Sequence, residues 1–261
     1  MGSAQRQGKL WGTAVADWAE LNEPRHAAYW NAMLDDMAVG RSSVIFDAGC
    51  GAGGGVKLAL ERGARVFGLD ASEVMIAYAR DHLPDGDFRV GDLEALPFDD
   101  DYFDVVMAAN SVQYAENPET ALAELRRVCK PTGKISVCSW DMREKNDQRF
   151  LQAAMAKLMP EPPKPGGGPF ALAEPGKLEA FVESVGLKVV GGESVPMVYH
   201  YNDLEELIRV QHSTGPGQII LGIVGEETFK QGLVDFYEEY KSDDGKVRMN
   251  NLFRLVTAVP A

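Results

Sequence analysis

The sequence predicts an α/β fold, a doubly wound parallel sheet with helices on both faces. Three observations predict it. From Ser43 to Trp140, short β-branched or aromatic runs alternate with stretches of helical periodicity, the pattern of repeated strand–helix–strand units. Phe103 to Ala108 is a continuous apolar run, as expected of a strand buried on both faces. Val44-Ile45-Phe46-Asp47 leads straight into a stretch with glycine at 49, 51, 53, 54 and 55, and then into a helical segment. Such a turn lets the chain bend sharply and lets a ligand approach the backbone at a strand's carboxyl end.

The elements follow in order. Trp11, Val15, Trp18 and Leu21, then Tyr29, Met33 and Met37, recur at helical spacing. They predict two helices broken near Asn22-Glu23-Pro24, since proline disfavours helix at the residue before it. Residues 1–40 thus read as an N-terminal helical cap. Strands are expected at Val44–Phe46, Arg65–Leu69, Phe88–Val90, Phe103–Ala108 and Lys134–Trp140. Between them lie helices from Gly54 to Glu61, from Ser72 as N-cap with Met75, Ile76 and Ala79 behind it, and from Glu119 to Cys129. Lys130-Pro131-Thr132-Gly133 stops the last of these. Residues 160–176, with proline at 160, 162, 163, 165, 169 and 175 and the run Gly166-Gly167-Gly168, read as a lid-like loop. Pro175 then opens a helix closed by Gly186. Strands at Leu187–Val190 and Pro196–Tyr201, helices at Leu204–Val210 and Glu226–Tyr240, and a final strand at Val247–Val259 complete the chain. Residues 41–261 read as one domain carrying inserted segments at about 141–176 and 203–245.

Composition narrows the function. The 261 residues carry 26 Lys plus Arg against 39 Asp plus Glu, a formal charge of −13. Nucleic-acid phosphates and anionic lipid repel such a chain, so neither is expected as a partner. No apolar run approaches the roughly 18 residues of a membrane span. The first residues lack an apolar signal core, and Gln7 fails the Ser/Thr position of a myristoylation motif. Cys50, Cys129 and Cys138 form no Cys-x-x-Cys pair, and His26, His82, His200 and His212 are scattered. A cytoplasmic protein without a disulfide framework or a metal is the expectation.

Two cofactors compete for the glycine loop. Gly49-x-Gly51-x-x-Gly54, with Asp70 at the end of the second strand, matches the dinucleotide fingerprint of an NAD(P)-dependent oxidoreductase. Asp47-x-Gly49-x-Gly51-x-Gly53 matches the motif for S-adenosylmethionine. Asp47 separates them, because a carboxylate aimed at the loop attracts an ammonium and a sulfonium and repels a pyrophosphate.

With Asp47-Ala48-Gly49-Cys50-Gly51-Ala52-Gly53 come four further motifs: Gly68-Leu69-Asp70-Ala71-Ser72-x-x-Met75, Gly91-Asp92-Leu93-Glu94-Ala95-Leu96-Pro97-Phe98, Phe103-Asp104-Val105-Val106 and Leu125 to Lys134. In this order and spacing, residues 43–140 resemble class I S-adenosylmethionine-dependent methyltransferases, of the small-molecule type that includes the ubiquinone and menaquinone biosynthesis enzymes. The resemblance implies a Rossmann-like sheet of seven strands with the last antiparallel. It implies that Gly49, Gly51 and Gly53 shape the methionine pocket, with Asp47 and Ala48 beside it and Asp47 serving the ammonium. Asp70, next to Ala71, would accept the ribose hydroxyls. Asp92 and the Leu93 backbone would read the adenine, and Met75 would pack on the adenosine. Asn110 would offer its carbonyl to the ammonium. The N-terminal residues Trp11, Trp18, His26, Tyr29 and Trp30 are acceptor-site candidates that, by the resemblance, would also close over the cofactor.

Methyl transfer from a sulfonium is an in-line displacement in which positioning and exclusion of water are the main tasks. The Asp99-Asp100-Asp101 run precedes the fourth strand and reads as a solvated turn, which sets aside metal-assisted transfer. Catalytic candidates are Gln113 and Tyr114, with Ser111, after the fourth strand, and His200 in the strand Pro196–Tyr201. By alternation His200 faces opposite to Tyr199 and Tyr201, so at most one of these sets lines the pocket. The acceptor is expected to be a small, partly apolar or aromatic metabolite. A protein that keeps the cofactor pocket without catalysis is the remaining alternative.

Overall fold

The computed structural model describes residues 3–161 and 168–261. Part of the expected lid loop, residues 162–167, lies outside them, as do Met1 and Gly2.

Among the described residues seven strands form one sheet: β1 (Val44–Ala48), β2 (Arg65–Asp70), β3 (Asp87–Val90), β4 (Phe103–Ala109), β5 (Cys129–Trp140), β6 (Leu187–Tyr201) and β7 (Val247–Pro260). Their order is β3-β2-β1-β4-β5-β7-β6. Pairs β1–β2, β2–β3, β1–β4 and β4–β5 are parallel, with Ile45 opposite Val66 and Val105. The last strand, β7, runs antiparallel to both β5 and β6. The strand order reverses between β1 and β4, and such a switch point leaves a crevice outside the strand carboxyl ends.

Strand residues alternate between two cores. Ile45, Val66, Val105 and Met107 face one side, where α3 (Ala27–Asp36), α4 (Gly54–Glu61) and α5 (Glu73–His82) bury Met33, Leu34, Val56, Ala59, Ile76 and Ala79. Phe46, Phe67, Phe103 and Val106 face the other, beneath α6 (Pro118–Val128) and α8 (Lys177–Glu183), which contribute Leu122, Leu125, Val128, Leu178 and Val182. The helix starts are set by local chemistry. Ser72 Oγ accepts from the Met75 amide at 3.2 Å, Asn117 caps α6 ahead of Pro118, and Asp203 Oδ1 accepts from the Glu206 amide at 2.8 Å to open α9 (Leu204–His212).

The cap is more broken than two helices. It runs as α1 (Ala4–Trp11), a short turn α2 (Val15–Asp17), a wide turn to Asn22, a tight turn Glu23–His26, and α3. Glycine lets α1 lie against the loop after β2: a Cβ on Gly8 would come 2.3 Å from the Ala71 carbonyl oxygen, and one on Gly12 would come 2.5 Å from Ser72 Oγ.

Four elements differ from the reading above. The strands expected at 187–190 and 196–201 are one strand, β6, because Gly191-Gly192 carries it through a register shift against β7 instead of ending it. Helices α7 (Gln148–Ala156) and α10 (Gly215–Val224) were not expected. α10 begins Gly-Pro-Gly, which reads as a breaker, yet Thr214 Oγ1 accepts from the Gly217 amide at 3.0 Å and Pro216 sits in the first turn, where it needs no donor. The helix expected to open at Pro175 opens at Lys177, after Gly176 at φ +75°. α11 (Glu226–Tyr240) matches its expected span. No helix of the described residues is long and apolar enough to cross a membrane.

Phe253 joins these layers. It is fully buried on β7, 5.0 Å from the Tyr29 ring of α3 and 4.3 Å from the Trp140 ring of β5. Phe253→Ala is expected to destabilise the protein by about 3–5 kcal/mol in urea unfolding, as large-to-small core changes do.

Candidate functional site

The carboxyl ends of β1, β2 and β4 meet the cap in one cavity. It is lined from the sheet by Asp47, Gly49, Gly51, Asp70, Ala71, Met75, Asp92, Leu93 and Asn110, and from the cap by Gln7, Trp18, Glu23 and Tyr29, among others. Gly49 and Gly51 have φ of +82° and +56°, which glycine adopts freely. A Cβ on Gly51 would lie 2.9 Å from Glu23 Oε1 and 3.1 Å from Trp18 Nε1, so the loop and the cap touch through the missing side chain.

Three carboxylates converge on this loop. Glu23 is buried and its Oε1 accepts from the Ala52 amide at 2.8 Å and from Trp18 Nε1 at 3.0 Å. Asp70 accepts from the Gly51 amide through Oδ2 at 3.0 Å and from the Ser72 amide through Oδ1 at 2.9 Å. Asp47, at the end of β1, is buried. Burial, reinforced by Glu23 and Asp70, pushes Asp47 up to about 8. Burial likewise pushes Glu23 up to about 7 against the loop amides and Trp18 that favour its charged form. Asp70 is raised as well, mainly by burial. Acids held up in this way are poised to ionise when a cation enters.

The same contacts oppose a phosphate. Amide donors at the start of α4 are where a dinucleotide fold holds pyrophosphate; here Glu23 already occupies the Ala52 amide. The donor set fits a ligand with a cationic end and hydroxyls.

A second cavity adjoins the first. Trp11, Trp18, His26, Asn110 and Tyr114 line both. Its remaining wall comes from β5, α7, β6, α9, α10 and α11, with Trp140, Leu151, Met155, Tyr199, Tyr201, Ile220 and Phe229 giving an aromatic and aliphatic surface. Asn22, Gln148, Gln152, Gln211 and Thr214 supply polar groups, and among the described residues no Lys, Arg, Asp or Glu lines it. Arg25 stands behind this wall, its guanidinium 4.4 Å from the Tyr201 ring centre and paired with Glu206 at 2.5 Å.

The sequence-based candidates divide as follows. Asp47, Gly49, Gly51, Asp70, Ala71, Met75, Asp92, Leu93, Asn110 and Trp18 line the first cavity. Ala48 and Gly53 do not: the Ala48 carbonyl accepts from Ser111 Oγ at 2.6 Å, and Gly53, at φ +102°, caps α4. Tyr114 lines both cavities; Gln113 lines neither and instead donates through Nε2 to Asn110 Oδ1. His200 requires correction. β6 turns Tyr199 and Tyr201 into the core, so His200 is exposed on the opposite face and lines neither cavity. Glu23 was missed, since Glu23-Pro24 reads only as a helix break. Among the described residues no group of three His, Cys, Asp or Glu is placed to hold a metal ion.

The raised acids carry a sign. A group whose folded-state pKa lies above its unfolded value contributes stability that is complete below the unfolded value and lost as pH rises through the folded one. For Glu23 and Asp47 that window runs from the ordinary carboxylate range up to about 7 and about 8. The ligand-free protein is therefore expected to lose thermal stability steadily from pH 5 to 8.5. Glu23→Gln, which cannot ionise, is expected to lose less over the same range in differential scanning fluorimetry.

Residues 46–137 match the family described as "Methyltransferase domain". The chain is 38% identical over 103 residues to a malonyl-[acyl-carrier protein] O-methyltransferase of Erwinia pyrifoliae, covering 40% of this chain and 39% of that one. It is 26% identical over 242 residues to sterol 24-C-methyltransferase ERG6B of Gibberella zeae, covering 90% of this chain and 58% of the relative. The chain spans between 33% and 58% of the length of the curated relatives it matches. Among solved structures, the [4+2]-cyclase SpnF superposes with a TM-score of 0.64 at 19% identity, covering 98% of this chain and 96% of that one; at that identity the likeness shows the fold. Residues 46–137 of this chain thus match a methyltransferase domain, and both relatives named here are methyltransferases.

Proposed function

We propose that the protein transfers a methyl group from S-adenosylmethionine to a small, uncharged, partly apolar or aromatic metabolite, at oxygen, nitrogen or carbon. One observation carries the reading: an acid-lined cavity over the glycine loop adjoins an uncharged aromatic cavity, and the two share a wall. When bound, S-adenosylmethionine supplies a methyl group activated on a cationic sulfonium. Asp47 and Glu23 bind the ammonium end, and the Asn110 carbonyl adds an acceptor. Asp70 takes the ribose hydroxyls, Asp92 and the Leu93 backbone read the adenine, and Met75 packs on the adenosine face. Trp18 and the rest of the cap exclude water, so that the displacement runs by alignment of the two bound molecules. Tyr114, on the shared wall, orients the acceptor, and Gln113 steadies Asn110.

An NAD(P)-dependent oxidoreductase is disfavoured because Glu23 takes an amide that pyrophosphate needs and because a second anion would meet three buried acids with no cation among them. The formal charge of −13 argues against nucleic acid as the acceptor. Three free, buried cysteines suit a cytoplasmic setting.

Thermal-shift measurement is expected to show stabilisation by S-adenosylmethionine and S-adenosylhomocysteine and none by NAD or NADP; the reverse pattern contradicts the reading. Asp70→Ala is expected to abolish that shift, as loss of a buried partner for two hydroxyls weakens binding by about 10-fold or more. Incubation with methyl-labelled cofactor and a metabolite extract, followed by mass spectrometry, is expected to yield a labelled product that is neutral and apolar. A protein that binds the cofactor yet labels nothing across broad extracts would be a binding protein without catalysis.

A further inference from the structure

A methyl group passing from the first cavity to the second crosses the wall they share, and an acceptor hydroxyl or amine loses its proton there. Five side chains form that wall: Trp11, Trp18, His26, Asn110 and Tyr114. The two indoles and the amide have no basic atom at neutral pH. The Tyr114 phenol is pushed up by burial and stays protonated. The imidazole of His26 is the remaining base.

His26 is built into this position. It sits in the tight turn Glu23–His26, only 5% exposed, stacked on Tyr29 at 5.2 Å and edge-on to Trp30 at 5.5 Å. Its Nε2 lies 3.2 Å from the Tyr199 hydroxyl, and its Nδ1 is buried without a partner. A buried N–H without an acceptor is rarer and costlier than a bare lone pair. The proton therefore belongs on Nε2, donated to the Tyr199 oxygen, which leaves the Nδ1 lone pair free.

We propose that His26 is a catalytic residue, the base whose Nδ1 receives the acceptor's proton, and that Tyr199 is the positioning residue that fixes its tautomer. The assignment rests on the two-cavity reading above. In the step, a lone pair on the acceptor's oxygen or nitrogen forms the bond to the methyl carbon. The carbon–sulfur bond breaks with its electron pair left on sulfur, and the heteroatom's proton goes to Nδ1. The positive charge leaves the sulfonium and ends on the imidazolium. Burial and the Arg25 guanidinium push His26 down to about 3, so the ring is neutral before each turnover and the imidazolium formed in the step gives up its proton readily afterwards. The groups around it are Arg25 and Glu23 of its own turn, Tyr29 of α3 and Tyr199 of β6. Of these, Glu23 alone titrates near neutrality.

The first test needs no acceptor. Nitrogen-15 NMR of histidine-labelled protein, free and with S-adenosylhomocysteine, is expected to show His26 as the Nε2–H tautomer from pH 5.5 to 8.5. An Nδ1–H tautomer or an imidazolium overturns the assignment. The second test uses 2-naphthol and 4-nitrophenol as probe acceptors with methyl-labelled cofactor at pH 8.5. His26→Gln is expected to lower kcat on 2-naphthol by about 100-fold, the usual contribution of general base catalysis. On 4-nitrophenol, already ionised and in need of no base, the loss is expected to stay below about 5-fold. The variant is still expected to bind S-adenosylhomocysteine in calorimetry, which shows that it folds, and Tyr199→Phe is expected to lose about 10-fold on 2-naphthol with the tautomer no longer fixed. Equal losses on both probes would make His26 a structural residue. Failure of the wild-type protein to methylate either probe while it binds S-adenosylhomocysteine would count against the acceptor cavity itself.

Discussion

The carboxylate of Glu23 on the Ala52 amide is the contact on which the site depends. It ties the N-terminal cap to the glycine loop at the place where a Cβ on Gly51 would intrude. It also fills with negative charge a position that other nucleotide-binding folds keep open for phosphate. With Asp47 and Asp70 alongside, three acids share a space in which all cannot ionise cheaply without a cation. Cap closure, loop conformation and choice of cofactor are therefore one electrostatic arrangement.

Topology supplies the rest. The switch between β1 and β4 places Asp47, Asp70 and Asn110 at neighbouring strand ends. The antiparallel β7 carries β6 alongside, which brings Tyr199 and Tyr201 to the second cavity, packed against the cap. The helices that follow β5 and β6 cover that cavity, and α1, laid close on the loop after β2 by Gly8 and Gly12, covers the first. The strands thus bring acidic groups to the first cavity, while the helices line the second with aromatic, aliphatic and amide side chains.

Much of the sheet was readable from the chain, because strands buried on both faces write continuous apolar runs and the glycine loop has a fixed relation to β1. Asp47 was readable for the same reason. Glu23 was not: its partner is 29 residues away, and nothing local distinguishes a functional acid before proline from a helix break. His200 illustrates a different limit. Alternation showed that it opposes Tyr199 and Tyr201, but which face turned inward was decided by packing against the cap, where Arg25 sits over Tyr201 and His26 meets Tyr199. α10 went unread because its Gly-Pro-Gly start looks like a loop until Thr214 is seen capping it.

The central claim is that the cofactor's cationic end displaces protons from buried acids. Calorimetric titration of the protein with S-adenosylmethionine at pH 7, repeated in buffers of different ionisation enthalpy, measures this directly. The account predicts net release of roughly one proton per molecule bound, falling towards zero above pH 9. Binding with no proton release, or with uptake, at pH 7 would contradict it.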